Sequence, residues 1–354
     1  MKETILVGVS GGVDSAVCAL KLKQQGYNVI GAMMKVYDGD IKTIANSCYG
    51  TDKKKEIEDA EKICKTIGID FHLIDCAKEF DTLVFETFKN EYKNGRTPNP
   101  CVLCNPLIKF GIFPNKARQA GLKFDKFATG HYARIEYDET LDKYLLKQGI
   151  NQKKDQTYFL YKLPQEKLKN ILFPLGNMEK EDVRKFAKEN RLIVHDKQDS
   201  QDFYKGDYAQ IIDAKENPGN IVHIGGKILG THNGIFNYTI GQRKGLKIAW
   251  SEPLYVIKFN LMQNEVIVGE KRYTNSSTLI AKDLNWTYFE PKTLPKIINA
   301  SAKIRSAGSK AECTIHIEED FAKVEFKEPQ NAITPGQAAV FYNNDIVLGG
   351  GTIA

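Results

Sequence analysis

The stretch Thr4-Ile5-Leu6-Val7-Gly8-Val9-Ser10-Gly11-Gly12-Val13-Asp14-Ser15-Ala16-Val17 decides the architecture of the chain. Thr4 to Val9 is a short apolar run that suits a strand buried on both faces. After it, Val13, Ala16, Val17 and Leu20 recur at helical spacing, and Gly26 supplies a stop. Between strand and helix, two glycines let the backbone approach an anion, and Ser10 and Ser15 add hydroxyl donors. The first turn of a helix leaves free N–H groups and the positive end of its dipole. The segment from Gly8 through Val9 to Ser15 therefore reads as a phosphate cradle at the carboxyl end of a parallel strand. A tight turn capped by Ser10 would account for a bare Gly-Gly, but not for the full string. The Gly-Lys-Ser/Thr ending of a Walker loop is missing.

Outward from this unit the alternation continues. Asn28 to Met34 is a second apolar run. Ile57, Ala60, Ile63 and Ile67 mark a second amphipathic helix ended by Gly68, and Phe71 to Ile74 is a third strand. Phe127 to Gly130 reads as a later strand of the same sheet. Such alternation predicts an α/β fold with a parallel sheet covered on both faces. From Gln165 to Leu192 the pattern is helical. Beyond Trp250 it changes to short strands separated by turn residues, which suggests a small barrel or sandwich.

A length of 354 residues fits two or three domains. Lys plus Arg number 50 and Asp plus Glu 44, a net charge of +6 that is compatible with a polyanionic partner without demanding one. No apolar run approaches the ~18 residues of a membrane span. The first residues lack the pattern of a secretory signal, so the expected location is cytoplasmic. Seven cysteines at irregular spacing do not suggest a disulfide framework. In a reducing compartment, the ones that are not packing residues are candidates for catalysis or metal binding.

The second informative string is Gly95-Arg96-Thr97-Pro98-Asn99-Pro100-Cys101-Val102-Leu103-Cys104-Asn105. Two prolines in three residues predict a stiffened loop presenting a Cys-x-x-Cys pair. That spacing suits a redox pair, half of a zinc site or an activated thiol. No second such pair and no His-x-x-x-His is present, so structural zinc is disfavoured. Cys18, Cys64 and Cys76 fall in helix or strand-end patterns and read as packing residues.

The Ser10–Ser15 string resembles the PP-loop of ATP pyrophosphatases, which split ATP between the α and β phosphates. The chain as a whole resembles the bacterial tRNA-specific 2-thiouridylases. The matching strings are SGGVDS, Met34-Lys35, GRTPNPCVLCN with Ile108-Lys109-Phe110, ATGHYAR at 128–134, KDQTYFL at 154–160, FPLG at 173–176, YTIGQRKGL at 238–246 and TPGQAAVFY at 334–342. The resemblance implies a PP-loop catalytic domain over 1–164, a small central tRNA-binding domain over 165–250 and a C-terminal β-barrel over 251–354. It implies adenylation of C2 of a wobble uridine with ATP and Mg2+, followed by replacement of the oxygen by sulfur. ATP would lie against Gly8 to Ser15, Met34 and Gly130, with Asp14 among the catalytic residues. Cys104 matches the family's catalytic cysteine. Asn99, Pro100 and Cys101 match the segment that meets the target base. Contacts to tRNA match His131, Lys154, Asp155, Gln156, Arg305, Ser306 and Gln337. Relatives usually have an aromatic residue where this chain has Ser306.

The chain departs from the pattern at Tyr204, where many relatives carry a second catalytic cysteine. Phenol carries no persulfide, so two replacements stand open. Cys101 resolves or carries sulfur beside Cys104, or Cys48 joins Cys101 and Cys104 as the three thiolates of a [4Fe-4S] cluster with one open iron. The implied partners are tRNA and a persulfide-donating sulfur carrier or cysteine desulfurase. Two other classes compete. One is a PP-loop amidating synthetase using ammonia, which would need a glutaminase domain or an amino-acid pocket. The other is a tRNA-binding protein whose catalysis has lapsed.

Overall fold

The computed structural model describes residues 2–37, 53–197, 211–212 and 214–354. They form two compact units. The first holds 2–84, 100–206 and 345–347 as far as these are described; the second holds 85–99, 207–344 and 348–354 likewise.

In the first unit β1 (Thr4–Gly8), α1 (Val13–Gln24), β2 (Asn28–Lys35), α2 (Lys53–Ile67) and β3 (Asp70–Asp75) follow in order. The chain then makes α3 (Ala77–Phe80). In the second unit it continues through α4 (Glu86–Lys93). Back in the first unit come α5 (Pro100–Cys104), α6 (Phe113–Gln119), β4 (Lys126–Ala128), the hairpin β5 (Ala133–Asp138) and β6 (Lys143–Gln148), α7 (Gln165–Leu168), β7 (Ile171–Leu172) and α8 (Lys180–Glu189). The sheet order is β3-β2-β1-β4-β7, and every pairing in it is parallel. Because β2 and β4 flank β1 on opposite sides, the chain reverses direction of winding at β1. That is the switch point where open α/β sheets bind ligands. Ile5, Val7, Val13, Ala16, Val17, Ile63, Val183 and Ala187 share one core, so α1, α2 and α8 cover the same layer.

The second unit contains two β structures. β8 (Gly219–His223), β9 (Ile228–His232), β10 (Leu254–Asn260) and β11 (Glu265–Glu270) form a sheet in the order β10-β11-β8-β9. β12 (Asn275–Trp286), β13 (Ile297–Lys303), β14 (Ala311–Ile317), β15 (Ala322–Asn331), β16 (Ala338–Asn343) and β17 (Ile346–Ile353) run β12-β15-β14-β13-β16-β17, and β17 pairs back onto β12. The sheet therefore closes as a barrel around Leu279, Ile315, Val324, Ala339 and Phe341. Closure removes the free edges an open sheet would expose.

Two expectations need restating. The segment from 165 onward does not open a new domain, because α8 packs its Val183 and Ala187 into the core of α1. The Cys-x-x-Cys pair is helical rather than part of a loop. Pro100 is the first residue of α5, where a missing N–H costs nothing because that N–H has no helical partner anyway.

Candidate active site

The Ser10–Ser15 string makes the turn from β1 into α1 and the first turn of that helix. β1 ends at Gly8, and Gly12 precedes the first turn of α1 in extended conformation. Gly11 has φ +73°, and a Cβ there would stand 2.9 Å from the Glu56 carbonyl oxygen. Ser15 is 5% exposed; its hydroxyl donates to the Gly12 carbonyl at 3.0 Å and accepts from the Ser10 N–H at 3.1 Å. The Ser10 hydroxyl lies 3.2 Å from that of Ser15. Val9 donates its N–H to Ala32 at 2.8 Å, which ties the loop to β2, at whose carboxyl end Met34 stands half-buried.

Asp14 does not face open solvent unengaged. The Lys180 ammonium donates to both its carboxylate oxygens at 2.7 and 2.8 Å, and the Tyr132 hydroxyl donates to Oδ1 at 2.9 Å. A second lysine, Lys197, donates to the Gly11 carbonyl at 3.0 Å and to Asp59 at 2.9 Å. Two ammonium groups thus brace the loop from its flanks. The sequence reading missed both lysines. The only signal is that Lys180 opens α8, where a cation opposes the helix dipole.

The 129–132 segment after β4 joins the cradle to the cysteines. A Cβ on Gly130 would stand 2.7 Å from the carbonyl carbon of Asp14, so only glycine fits. His131 is 8% exposed, takes a 2.6 Å hydrogen bond with the Thr129 hydroxyl, and packs 5.6 Å from Phe110 and 5.7 Å from Phe173 between ring centres. Burial, with Lys109 adding to it, holds its pKa well below the usual histidine value, so the imidazole is neutral. Phe110 belongs to the helix that carries the thiols.

That helix runs without a break through α5, a π-helical stretch Asn105–Ile112 and α6. Pro106 cannot donate an N–H to the preceding turn, and the wider π turn accommodates it. Cys101 and Cys104 are one turn apart and both partly exposed. Asn105 is buried, and its Nδ2 donates to the Cys101 carbonyl at 2.9 Å; its Oδ1 has no partner among the described residues. Cys76, at the end of β3, is within electrostatic reach of Cys104, and burial pushes its thiol up to about 12. Burial likewise raises Cys64 and Cys313 to about 12 and Cys18 further. The packing reading of Cys18, Cys64 and Cys76 agrees with this. Cys48 and Tyr204 lie outside the described residues.

The residues expected to touch tRNA are dispersed. In the first unit, Asp155 is buried and its carboxylate accepts from Gln148, Gly149 and Thr157, while Gln156 Oε1 accepts the Tyr132 N–H at 3.0 Å. These two shape the loop that positions Tyr132. Lys154 follows a turn in which its N–H donates to Asn151. Pro100 starts α5. In the second unit, Gln337 donates to the Thr97 carbonyl at 2.7 Å, two residues before Asn99. Arg305 reaches Asn331 at 3.5 Å from an exposed position beside Ser306.

Fold and site together define an α/β protein that offers an anion cradle at the switch point of a parallel sheet and two thiols on a helix keyed to that cradle through His131 and Gly130. The family model described as tRNA methyl transferase HUP domain matches residues 3–204, the PRC-barrel domain of the same series matches 209–270, and the aminomethyltransferase beta-barrel domain matches 276–353. The tRNA-specific 2-thiouridylase MnmA of Endomicrobium trichonymphae is 49% identical over 99% of this chain and 98% of its own. The proteins of the same name from Clostridioides difficile (45%, 100% and 98%) and Acetivibrio thermocellus (43%, 99% and 99%) are similar throughout. The chain belongs to the MnmA family of tRNA-specific 2-thiouridylases.

Proposed function

We propose that the chain is an ATP-dependent tRNA-uridine 2-sulfurtransferase that makes 2-thiouridine at the wobble position. The observation that carries this reading is the joining of a phosphate cradle and a two-thiol helix through one short segment, 129–132. An amidating synthetase has no use for the cysteine pair, and a lapsed binding protein has no need of a braced cradle. Methyl transfer, which the family model's description mentions, has no use for the cradle.

The chemistry follows from what the residues supply. The uridine O2 attacks the α-phosphorus of ATP, a C–O–P linkage forms and pyrophosphate leaves. The N–H groups of the first turn of α1, with Ser10 and Ser15, bind the departing negative charge. Cys104, loaded as a persulfide by an outside sulfur donor, attacks C2 with its terminal sulfur, and AMP leaves. Cys101 then attacks the inner sulfur of Cys104. The S–S bond to the base breaks, 2-thiouridine is released, and a Cys101–Cys104 disulfide remains for an external thiol to reduce. Residues one helical turn apart suit that last step. Magnesium would neutralise the phosphates. Among the described residues no three ligating side chains converge, so the ion would be held mainly by phosphate oxygens and water. For a [4Fe-4S] cluster the described residues supply only Cys101 and Cys104, and the two-thiol route needs no third. Contacts to tRNA are assigned to Asn99, Pro100, Cys101, His131, Lys154, Asp155, Gln156, Arg305, Ser306 and Gln337. The substrate places the enzyme in the cytoplasm, in keeping with the absence of any described helix long and apolar enough to cross a membrane.

The test is tRNA-dependent exchange of labelled pyrophosphate into ATP. The wild-type protein should exchange only with tRNA present, and the double variant Ser10→Ala/Ser15→Ala should lose at least about a hundredfold. Exchange driven by a small amide-forming acid and ammonia without tRNA would instead establish the synthetase reading.

A further inference from the structure

The first unit holds a cavity of about 790 Å³ that takes no part in the chemistry above. The cradle lies at the N-terminus of α1, whereas the cavity meets the last turn of that helix at Lys21. Two strand edges border it. One is β7, outermost in the parallel sheet. The N–H groups of Phe127 and Thr129 donate to the carbonyls of Asn170 at 2.9 Å and Leu172 at 3.3 Å. Those two neighbours thus face β4, and the N–H and C=O of Ile171 face away from it. The other edge is β5, which pairs only with β6 among the described residues. Gln148 turns its N–H to the Asp345 carbonyl at 2.8 Å, and Tyr144 turns its own to Gln165 Oε1 at 2.9 Å. Antiparallel partners alternate between bonded and unbonded pairs. The residues opposite these two, Ala133 and Tyr137, and Ile135 between them, therefore direct N–H and C=O to the free edge. Gly176 covers Ala133, where a Cβ would stand 2.0 Å from the carbonyl oxygen. Ile135, Tyr137 and Ile171 remain, all lining the cavity, with no backbone partner on that side among the described residues.

The charge around the cavity is positive. Lys21, Lys126, Arg134 and Lys169 line it against one acid, Glu136, which already accepts from Arg134 at 3.1 Å and Lys147 at 2.8 Å. Lys126 pairs with Glu3 at 3.0 Å. The ammonium groups of Lys21 and Lys169 make no hydrogen bond or ion pair among the described residues. Leu172, Phe173 and the rings of Tyr137 and Tyr144, 5.0 Å apart between centres, supply apolar wall. Lysines beside a sheet edge also serve to repel stray strands. An edge guarded in that way carries its charges on the edge strand, but β7 is only Ile171-Leu172, and Lys21 and Lys169 come from α1 and the residue after α7. Free main-chain donors and acceptors, apolar wall and unpaired cations together match an extended chain whose side chains alternate between acidic and apolar.

We propose that this cavity is a docking groove for an extended acidic segment of a partner protein, which adds as a strand along β5 and β7. The proposal stands apart from the thiolating reading. The test uses a blocked heptapeptide of alternating glutamate and valine, the same peptide N-methylated along its backbone, and one with lysine in place of glutamate. Calorimetry should show the acidic peptide binding the full chain, and hydrogen exchange should slow at Ile135, Tyr137 and Ile171. N-methylation removes the main-chain donors and should weaken binding at least about tenfold. The lysine peptide should not bind at the same concentrations. The variant Lys21→Glu/Lys169→Glu should weaken the acidic peptide by a similar factor while keeping its melting temperature and its tRNA-dependent pyrophosphate exchange. No binding of the acidic peptide at millimolar concentration, equal binding of the N-methylated one, or protection only at other residues would overturn the proposal. So would displacement of the peptide by tRNA with weaker tRNA binding in the double variant, which would make the groove an RNA contact. Protection of the three residues by self-association without peptide would overturn it too, and make the groove an interface between two copies. A lack of exchange in the wild-type protein would strike the thiolating reading alone.

Discussion

Asp14 is held by three hydrogen bonds from two side chains that come from outside the motif it belongs to. Lys180 is 9% exposed, and removing its ammonium takes away one of the two side chains that hold the Asp14 carboxylate, itself 29% exposed. Lys180→Met should cost about 1.5–2 kcal/mol of stability, read by denaturant unfolding, and should raise KM for ATP more than it lowers kcat. Tyr132→Phe removes one hydrogen bond to a charged acceptor and should cost about 1.5 kcal/mol. A Lys180→Met protein as stable as wild type would show that Asp14 is anchored elsewhere. The thiols give a second prediction at this scale. Burial keeps Cys64, Cys76 and Cys313 protonated far above neutral pH, while Cys101 and Cys104 are partly exposed. Iodoacetamide at pH 8 followed by peptide mass spectrometry should therefore mark Cys101 and Cys104 well ahead of those three. Equal labelling of Cys76 would contradict the packing.

Among the elements, the 129–132 segment carries the most consequence. Gly130→Ala would drive a Cβ into the backbone of Asp14, a clash that no side-chain rotation relieves. The expected result is a loss of about 2 kcal/mol together with weakened ATP binding by calorimetry. His131 beside it is buried and neutral. Its folded pKa lies below the unfolded value, so the unfolded state binds more protons in the interval between them. Its contribution is fully present above about pH 6.5 and is lost as pH falls from there towards the folded value. His232, also lowered by burial, acts in the same sense. Melting temperature should fall as pH drops below about 6.5, and His131→Gln should flatten part of that fall; a slope untouched by the substitution would place its origin elsewhere. The same elements show where sequence reading stops. The strand, the cradle and the first helices were legible because apolar runs, helical spacing and a Gly-Gly turn are local signals. The helix 100–119 was not, because two prolines in three residues look like a loop unless one of them opens a helix. Lys180 and Lys197 were invisible because their role depends on which distant loop they reach.

For the whole molecule, the succession from parallel α/β to short strands was legible, but the place where one core gives way to the next was not. That boundary is set by α8 packing on α1, a contact between residues more than a hundred and fifty positions apart in sequence. The closed barrel also depends on a pairing between β12 and β17 that no local pattern announces. The proposed function requires one chain to couple a phosphate cradle to a sulfur-bearing thiol. It is tested most directly by incubating the protein with tRNA, ATP and a persulfide donor and measuring modified nucleosides by mass spectrometry. Wild type should yield 2-thiouridine with one AMP released per sulfur inserted, and Cys104→Ser should yield AMP-forming activity without thiolated base. Equal yields of 2-thiouridine from wild type and Cys104→Ser, or thiolation that proceeds without ATP, would contradict it.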